Sequence, residues 1–176
     1  MQKIPALILS MSVLASASVL ADNGEKSDAN VTASVKSALI SNDATKARQI
    51  NVETNQGIVQ LSGFVDSTAA KSAAESAARN VEGVKQVDNK LLIRDADRST
   101  GQAVDDTVIA AKLKGTLAGQ TGLGTASDVN VEVNSGVVEL SGFVETADQK
   151  SKAAELARGV NGVKDVRNNI ALKPQG

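Results

Sequence analysis

The chain has no cysteine, histidine, tryptophan or tyrosine, and its only aromatic residues are Phe64 and Phe143. Without Cys or His there is no zinc site of the usual ligands, no thiol nucleophile, no imidazole base and no Ser-His-Asp triad. A disulfide framework is excluded as well. Two aromatic rings cannot build the stacking platforms that grip single-stranded nucleic acid. An excess of positive charge is also missing: 19 Lys and Arg face 20 Asp and Glu, for a net charge of -1. A nucleic-acid binder needs a basic excess to displace counterions from phosphate, so that class is set aside. The acids are spread along the chain, and no pair holds a motif spacing that would mark a catalytic dyad. A non-enzymatic protein without metal or cofactor is expected.

The residues present are 41% hydrophobic, most of them Ala, Val, Leu and Ile. That supports small globular cores and is too much for a disordered chain. Residues 1–21, MQKIPALILSMSVLASASVLA, read as a cleavable export signal. Lys3 supplies a positive start, Ala6 to Leu14 an apolar stretch, and Val19-Leu20-Ala21 the short side chains that a signal peptidase reads. The apolar run falls short of the roughly 20 residues of a spanning helix. Cleavage after Ala21 removes one Lys and no acid, leaving 18 basic and 20 acidic groups, a net charge of -2. With no Cys to carry a lipid, the exported protein is expected to be soluble in the periplasm.

Self-comparison organises the rest. Residues 50–93 align with residues 129–172 at an offset of 79 without a gap, and 22 of 44 positions are identical. Upstream, Val31, Val35 and Leu39 correspond to Ile109, Leu113 and Leu117 at an offset of 78. Each copy reads as helix, strand, strand, helix, strand. Val31, Val35 and Leu39 lie on one helical face, with Asp28 and Asp106 as the expected N-caps. Asn55-Gln56-Gly57 and Asn134-Ser135-Gly136 place hairpin residues between alternating strands. Gly63 and Gly142, in mid-strand, suggest a bulge or the close approach of another backbone. An Ala-rich face (Ala69, Ala70, Ala73, Ala74, Ala77, Ala78) lets the second helix sit close to the sheet. Gly83 and Gly162 then fit left-handed positions beyond its end. The third strand is expected parallel beside the second, because a helix joins them.

The organisation that follows is a signal at 1–21, a flexible segment at 22–27, a first domain at 28–94, a polar linker at 95–104 and a second domain at 105–174. A domain of this size buries only about 60% of its unfolded surface, so the copies are expected to pack on one another.

The shared positions resemble those of the BON domain, a small αββαβ module of bacterial envelope proteins. The residues carrying the resemblance are Val35-Lys36-x-x-Leu39, Asn51-Val52, Gly57, Leu61 to Val65, and Val81-x-Gly83-Val84-x-x-Val87-x-Asn89. Their counterparts are Leu113-Lys114-x-x-Leu117, Asn130-Val131, Gly136, Leu140 to Val144, and Val160-x-Gly162-Val163-x-x-Val166-x-Asn168. The resemblance implies an α+β fold of two tandem αββαβ domains, each a three-stranded mixed sheet with both helices on one face. It implies a periplasmic role under osmotic or envelope stress and association with phospholipid; a chaperone role for exported or outer-membrane proteins is the alternative. Some dual-domain relatives are anchored lipoproteins, and this chain has no Cys for that anchor.

Candidate sites are few. Ser62 and Ser141 read as ordinary strand hydroxyls, and Gly122-x-Gly124 lacks the strand, the third glycine and the Lys-Ser/Thr end of a phosphate loop. Phe64 and Phe143 are either core or inter-domain plugs, or exposed apolar contacts for an acyl layer or an unfolded client. Ile109, Lys112, Leu113 and Lys114 on the first helix of the second copy, with Lys150 and Lys152 on its second helix, are the candidate lipid-binding set. There the lysines would draw anionic lipid, while Ile109 and Leu113 face either the core or the headgroup boundary.

Overall fold

A computed structural model describes residues 26–43, 45, 50–94, 100–120 and 128–174. The export signal at 1–21, residues 22–25 of the segment after it and Gly122-x-Gly124 lie outside the described residues.

Each half follows the expected order. The first comprises α1 (Asp28–Ile40), β1 (Ile50–Asn55), β2 (Ile58–Val65), α2 (Thr68–Arg79), β3 (Gln86–Asn89) and β4 (Leu92–Ile93). The second comprises α3 (Thr100–Ala118), β5 (Val129–Asn134), β6 (Val137–Val144), α4 (Ala147–Arg158), β7 (Asp165–Asn168) and β8 (Ala171–Leu172). β1 pairs antiparallel with β2, and the third strand runs parallel on the other side of β2, as the helical crossover requires. That third strand is in two pieces. Both β3 and β4 pair with β2, and between them Leu91 turns fully into the core while its N–H bonds Asn89 Oδ1 at 3.2 Å. The second half repeats the break at Ile170.

The cores explain the repeat. Val31, Val35 and Leu39 of α1 meet Val52, Val59, Leu61, Val65 and Leu91, with Ala70, Ala74 and Ala78 of α2 closing the layer. Ile109, Leu113 and Leu117 do the same in the second half, against Val131, Val138, Leu140, Val144, Ile170 and Ala153, Ala154 and Ala157. Small alanines on α2 and α4 allow close helix-to-sheet contact, and one face of each sheet carries both helices. The glycines fit this packing. Gly142 sits at φ +118, and a Cβ there would collide with the carbonyl oxygen of Asp128.

Two expectations about helix starts need correction. Ser27, not Asp28, caps α1, its hydroxyl accepting the Asn30 N–H. The carboxylate of Asp28 instead accepts the N–H groups of Gln56 and Gly57 at 2.7 and 2.8 Å, and Asp106 does the same for Ser135 and Gly136. The physical reason lies in the hairpin. Gln56 and Gly57 at φ 52 and 79, like Ser135 and Gly136 at 53 and 82, turn consecutive N–H groups the same way into a small anion-binding nest. α3 also begins at Thr100, inside the segment read as a polar linker: residues 102–105 extend the helix, and Gly101, a poor helix former, falls in its first turn rather than its interior.

Candidate functional site

The faces of the two sheets that carry no helix are pressed together. On the first sheet the residues pointing that way are Asn51, Glu53, Gln60, Ser62 and Phe64; on the second they are Asn130, Glu132, Glu139, Ser141 and Phe143. Ser62 Oγ and Ser141 Oγ lie 2.6 Å apart. Around that pair, contacts come in matched sets. Asn51 donates to Glu132 and Asn130 to Glu53, each at 3.0 Å. Gly63 N–H donates to Glu139 at 2.7 Å, and Gly142 N–H donates to Gln60 at 2.6 Å. The domains are thus related by a pseudo-twofold axis through the serine pair, an isologous contact within one chain. Gly63 and Gly142, already at positive φ, present their N–H groups across this junction.

The symmetry fails at one pair. Gln60 donates from Nε2 to the carbonyl oxygen of Asn169 at 2.9 Å, whereas its counterpart Glu139 accepts from Asn169 Nδ2 at 2.9 Å. Glu139 is only 1% exposed. Burial pushes its carboxyl up to about 7; Glu132 adds to the rise, against the bonds from Asn169 and Gly63 and the charge of Lys71.

The structure corrects the picture of Phe64 and Phe143 as exposed apolar contacts: both are 7% exposed, on the sheet faces that meet. A sheet with helices on one face buries its other face on the sister sheet, so the rings become plugs of the junction. Phe64 also lines a groove with Thr107, Ala110 and Lys114 of the second domain.

The proposed lipid residues divide in two. Ile109 and Leu113 belong to the core, which corrects their assignment as lipid contacts. They sit on the same helical stripe as Leu117, and that stripe is needed to cover the sheet. Lys112 and Lys114 are exposed, and among the described residues neither holds an ion pair. Lys150 is half-buried, with its carbonyl taken by Asn168, and Lys152 is exposed and paired with Glu155 at 3.5 Å. No hydrogen bond or ion pair joins these α4 lysines to those of α3 among the described residues.

What the sequence reading missed lies one turn earlier. Val104 and Val108 are 60% and 44% exposed and stand at i and i+4 to each other, with Lys112 at i+8. One stripe of α3 therefore shows solvent two apolar side chains followed by an exposed cation. The signal was present as spacing, but it was hidden by placing the helix start at Asp106. Beside the stripe, a groove of about 340 Å³ runs past Val108 and Lys112 to Gly136, Asn161, Gly162 and Lys164. The matching end of the first domain carries an ion pair, Lys26 to Glu82 at 2.7 Å. That bond holds the Glu82 carboxyl below its ordinary value. No described helix is long and apolar enough to cross a membrane.

Residues 27–95 and 105–174 each match the family model described as the BON domain. The chain is 39% identical over 147 residues to the osmotically-inducible protein Y of Escherichia coli (strain K12), covering 83% of this chain and 73% of that one. It is 29% identical over 126 residues to an uncharacterized protein of the gshII 5' region of Anaplasma centrale, covering 70% and 82%. To the outer membrane lipoprotein DolP of Haemophilus influenzae it is 33% identical over 118 residues, covering 67% of this chain and 60% of the relative.

Proposed function

The chain belongs to the BON domain family in both its halves, and on that premise we propose that it is a non-enzymatic, periplasmic protein of osmotic or envelope stress that associates peripherally with anionic phospholipid. The names of its relatives, one osmotically inducible and one an outer-membrane lipoprotein, support the setting. The single observation behind the lipid reading is the outer stripe of α3. An amphipathic helix lying in a headgroup layer needs apolar side chains on the face that enters and cations beside them. Val104 and Val108 supply the first, Lys112 and Lys114 the second. Each lysine near an anionic surface contributes about 1 kcal/mol, and the acidic balance of the chain keeps the association weak and sensitive to salt.

A holding role for unfolded clients would draw on the faces around Phe64 and Phe143, which are accessible only if the domains part. The lipid reading needs no such opening. It is tested by flotation with vesicles of anionic phospholipid and of neutral phospholipid at two salt concentrations. Co-flotation with anionic vesicles alone, reduced by salt and by Lys112→Glu with Lys114→Glu, is expected. Equal flotation with both vesicle types, or with neither, would overturn it.

A further inference from the structure

The junction between the sheets contains a carboxyl group that nothing in the lipid reading uses. Glu139 lies at the centre of the contact, with one oxygen on Gly63 N–H of the first domain and the other on Asn169 Nδ2 of its own. Its symmetry mate Gln60 makes the corresponding bond to Gly142 without any charge. A neutral side chain is therefore sufficient for the geometry, and the junction carries one ionisable group where an amide would serve.

Among the described residues no cation is bonded to that group, and Lys71 acts on it only through its charge. From β5 it faces Glu132, which accepts from Asn51 across the junction, whereas Glu53 of β1 stands opposite Gln60 and accepts from Asn130. Arg167 lies opposite it in register on β7 but pairs with Asp165, and Asp88, opposite Gln60 on β3, pairs with Lys90. Lys71 of α2 donates to the carbonyl of Leu91. Burial and the neighbouring Glu132 outweigh the charge of Lys71, and no cation among the described residues bonds the carboxyl, so the charged form is the disfavoured one. The neutral form also fits: the carboxyl can keep Gly63 N–H on its carbonyl oxygen and donate its own proton to the Asn169 amide turned end for end.

We propose that the junction is a proton-operated latch, in which protonated Glu139 holds the two domains closed and loss of its proton loosens them. The direction follows from linkage. Burial in the closed junction pushes the carboxyl up to about 7, from an ordinary 4.5. Between those values the closed state binds a proton that the open state does not, so closure weakens as pH rises from about 4.5 and levels off above about 7. Because each pKa unit is a tenfold change, the closed-to-open ratio falls about a hundredfold across that window. Opening uncovers Phe64, Phe143 and the polar faces around them.

The test is a carboxyl-carbon NMR titration of Glu139 in the exported chain, followed together with the Gly63 and Gly142 amides. The latch predicts a midpoint near 7 that both amides share; a midpoint near that of an exposed glutamate would overturn it. Glu139→Gln serves as the second readout, through denaturant unfolding from pH 4.5 to 8. The wild type should lose stability as pH rises and the variant should not, with the two converging at the acid end. An identical pH dependence in both chains would sink the proposal, as would a variant that stays below the wild type at pH 4.5.

Discussion

The two domains share one framework and differ where their first helices meet solvent. In the first domain the corresponding positions are Lys26, just ahead of α1, and Asn30 and Ser34 on it, polar throughout. In α3 the matching positions are Val104, Val108 and Lys112. The difference extends to the neighbouring loop. Glu82, which neutralises Lys26 in the first domain, corresponds to Asn161 in the second. Both domains have a groove at this end, but the first lines its own with an ion pair and the second flanks its own with an apolar, cationic surface. Duplication kept the core and left this surface to diverge.

That contrast can be broken most forcefully at Gly142. Replacing it with Ala puts a Cβ against the Asp128 carbonyl at a positive φ, and about 3 kcal/mol or more should be lost from the second domain. Calorimetry should then show a separate, earlier transition for that domain; a single unshifted transition would refute the clash. Leu113→Ala, fully buried, should cost about 2–5 kcal/mol by denaturant unfolding, while Lys112→Ala costs less than about 0.5.

A finer comparison concerns the two turn-binding carboxylates. Asp106 is 3% exposed and Asp28 is more open, so Asp106→Ala should cost about 2 kcal/mol and Asp28→Ala about 1. Equal losses would show that water does not discriminate between the two turns. For membrane binding, Val104→Asp with Val108→Asp should weaken association with anionic vesicles at least tenfold, about 1.4 kcal/mol. The smallest expected effect is the converse. Asn30→Val with Ser34→Lys should give the first helix a weak, salt-sensitive affinity of its own, within about tenfold of the threshold for detection.

The parts of this architecture written in local spacing were readable from the sequence. Val31, Val35 and Leu39 announced a core face, Asn55-Gln56-Gly57 a hairpin, and the offset of 79 a second copy of everything. The parts set by tertiary contact were not. Asp28 looks like a cap because it stands at a helix start, and only the folded hairpin brings the N–H groups of Gln56 and Gly57 within 2.8 Å of it. Val104 fell in the polar stretch read as linker, and that cut the stripe it forms with Val108 on the helix. Gln60 and Glu139 offered a partial signal. Polar residues alternated with Phe64 and Phe143 at the same positions in both strands, and a face that is neither fully apolar nor fully polar suits a junction. Nothing in one dimension says that the two such faces meet.

The short connection from β4 to α3 gives that meeting its character. Ile93 ends one domain and Thr100 begins the next helix, so each sheet face is held at an effective concentration of about the millimolar order around the other. Two separate chains would need a large apolar interface to stay paired at cellular dilution. Tethered faces do not, and a largely polar contact of serines, amides and glutamates around Phe64 and Phe143 can serve. The tether then becomes an advantage: a modest change at a single side chain can shift the balance between closed and open without ever separating the partners.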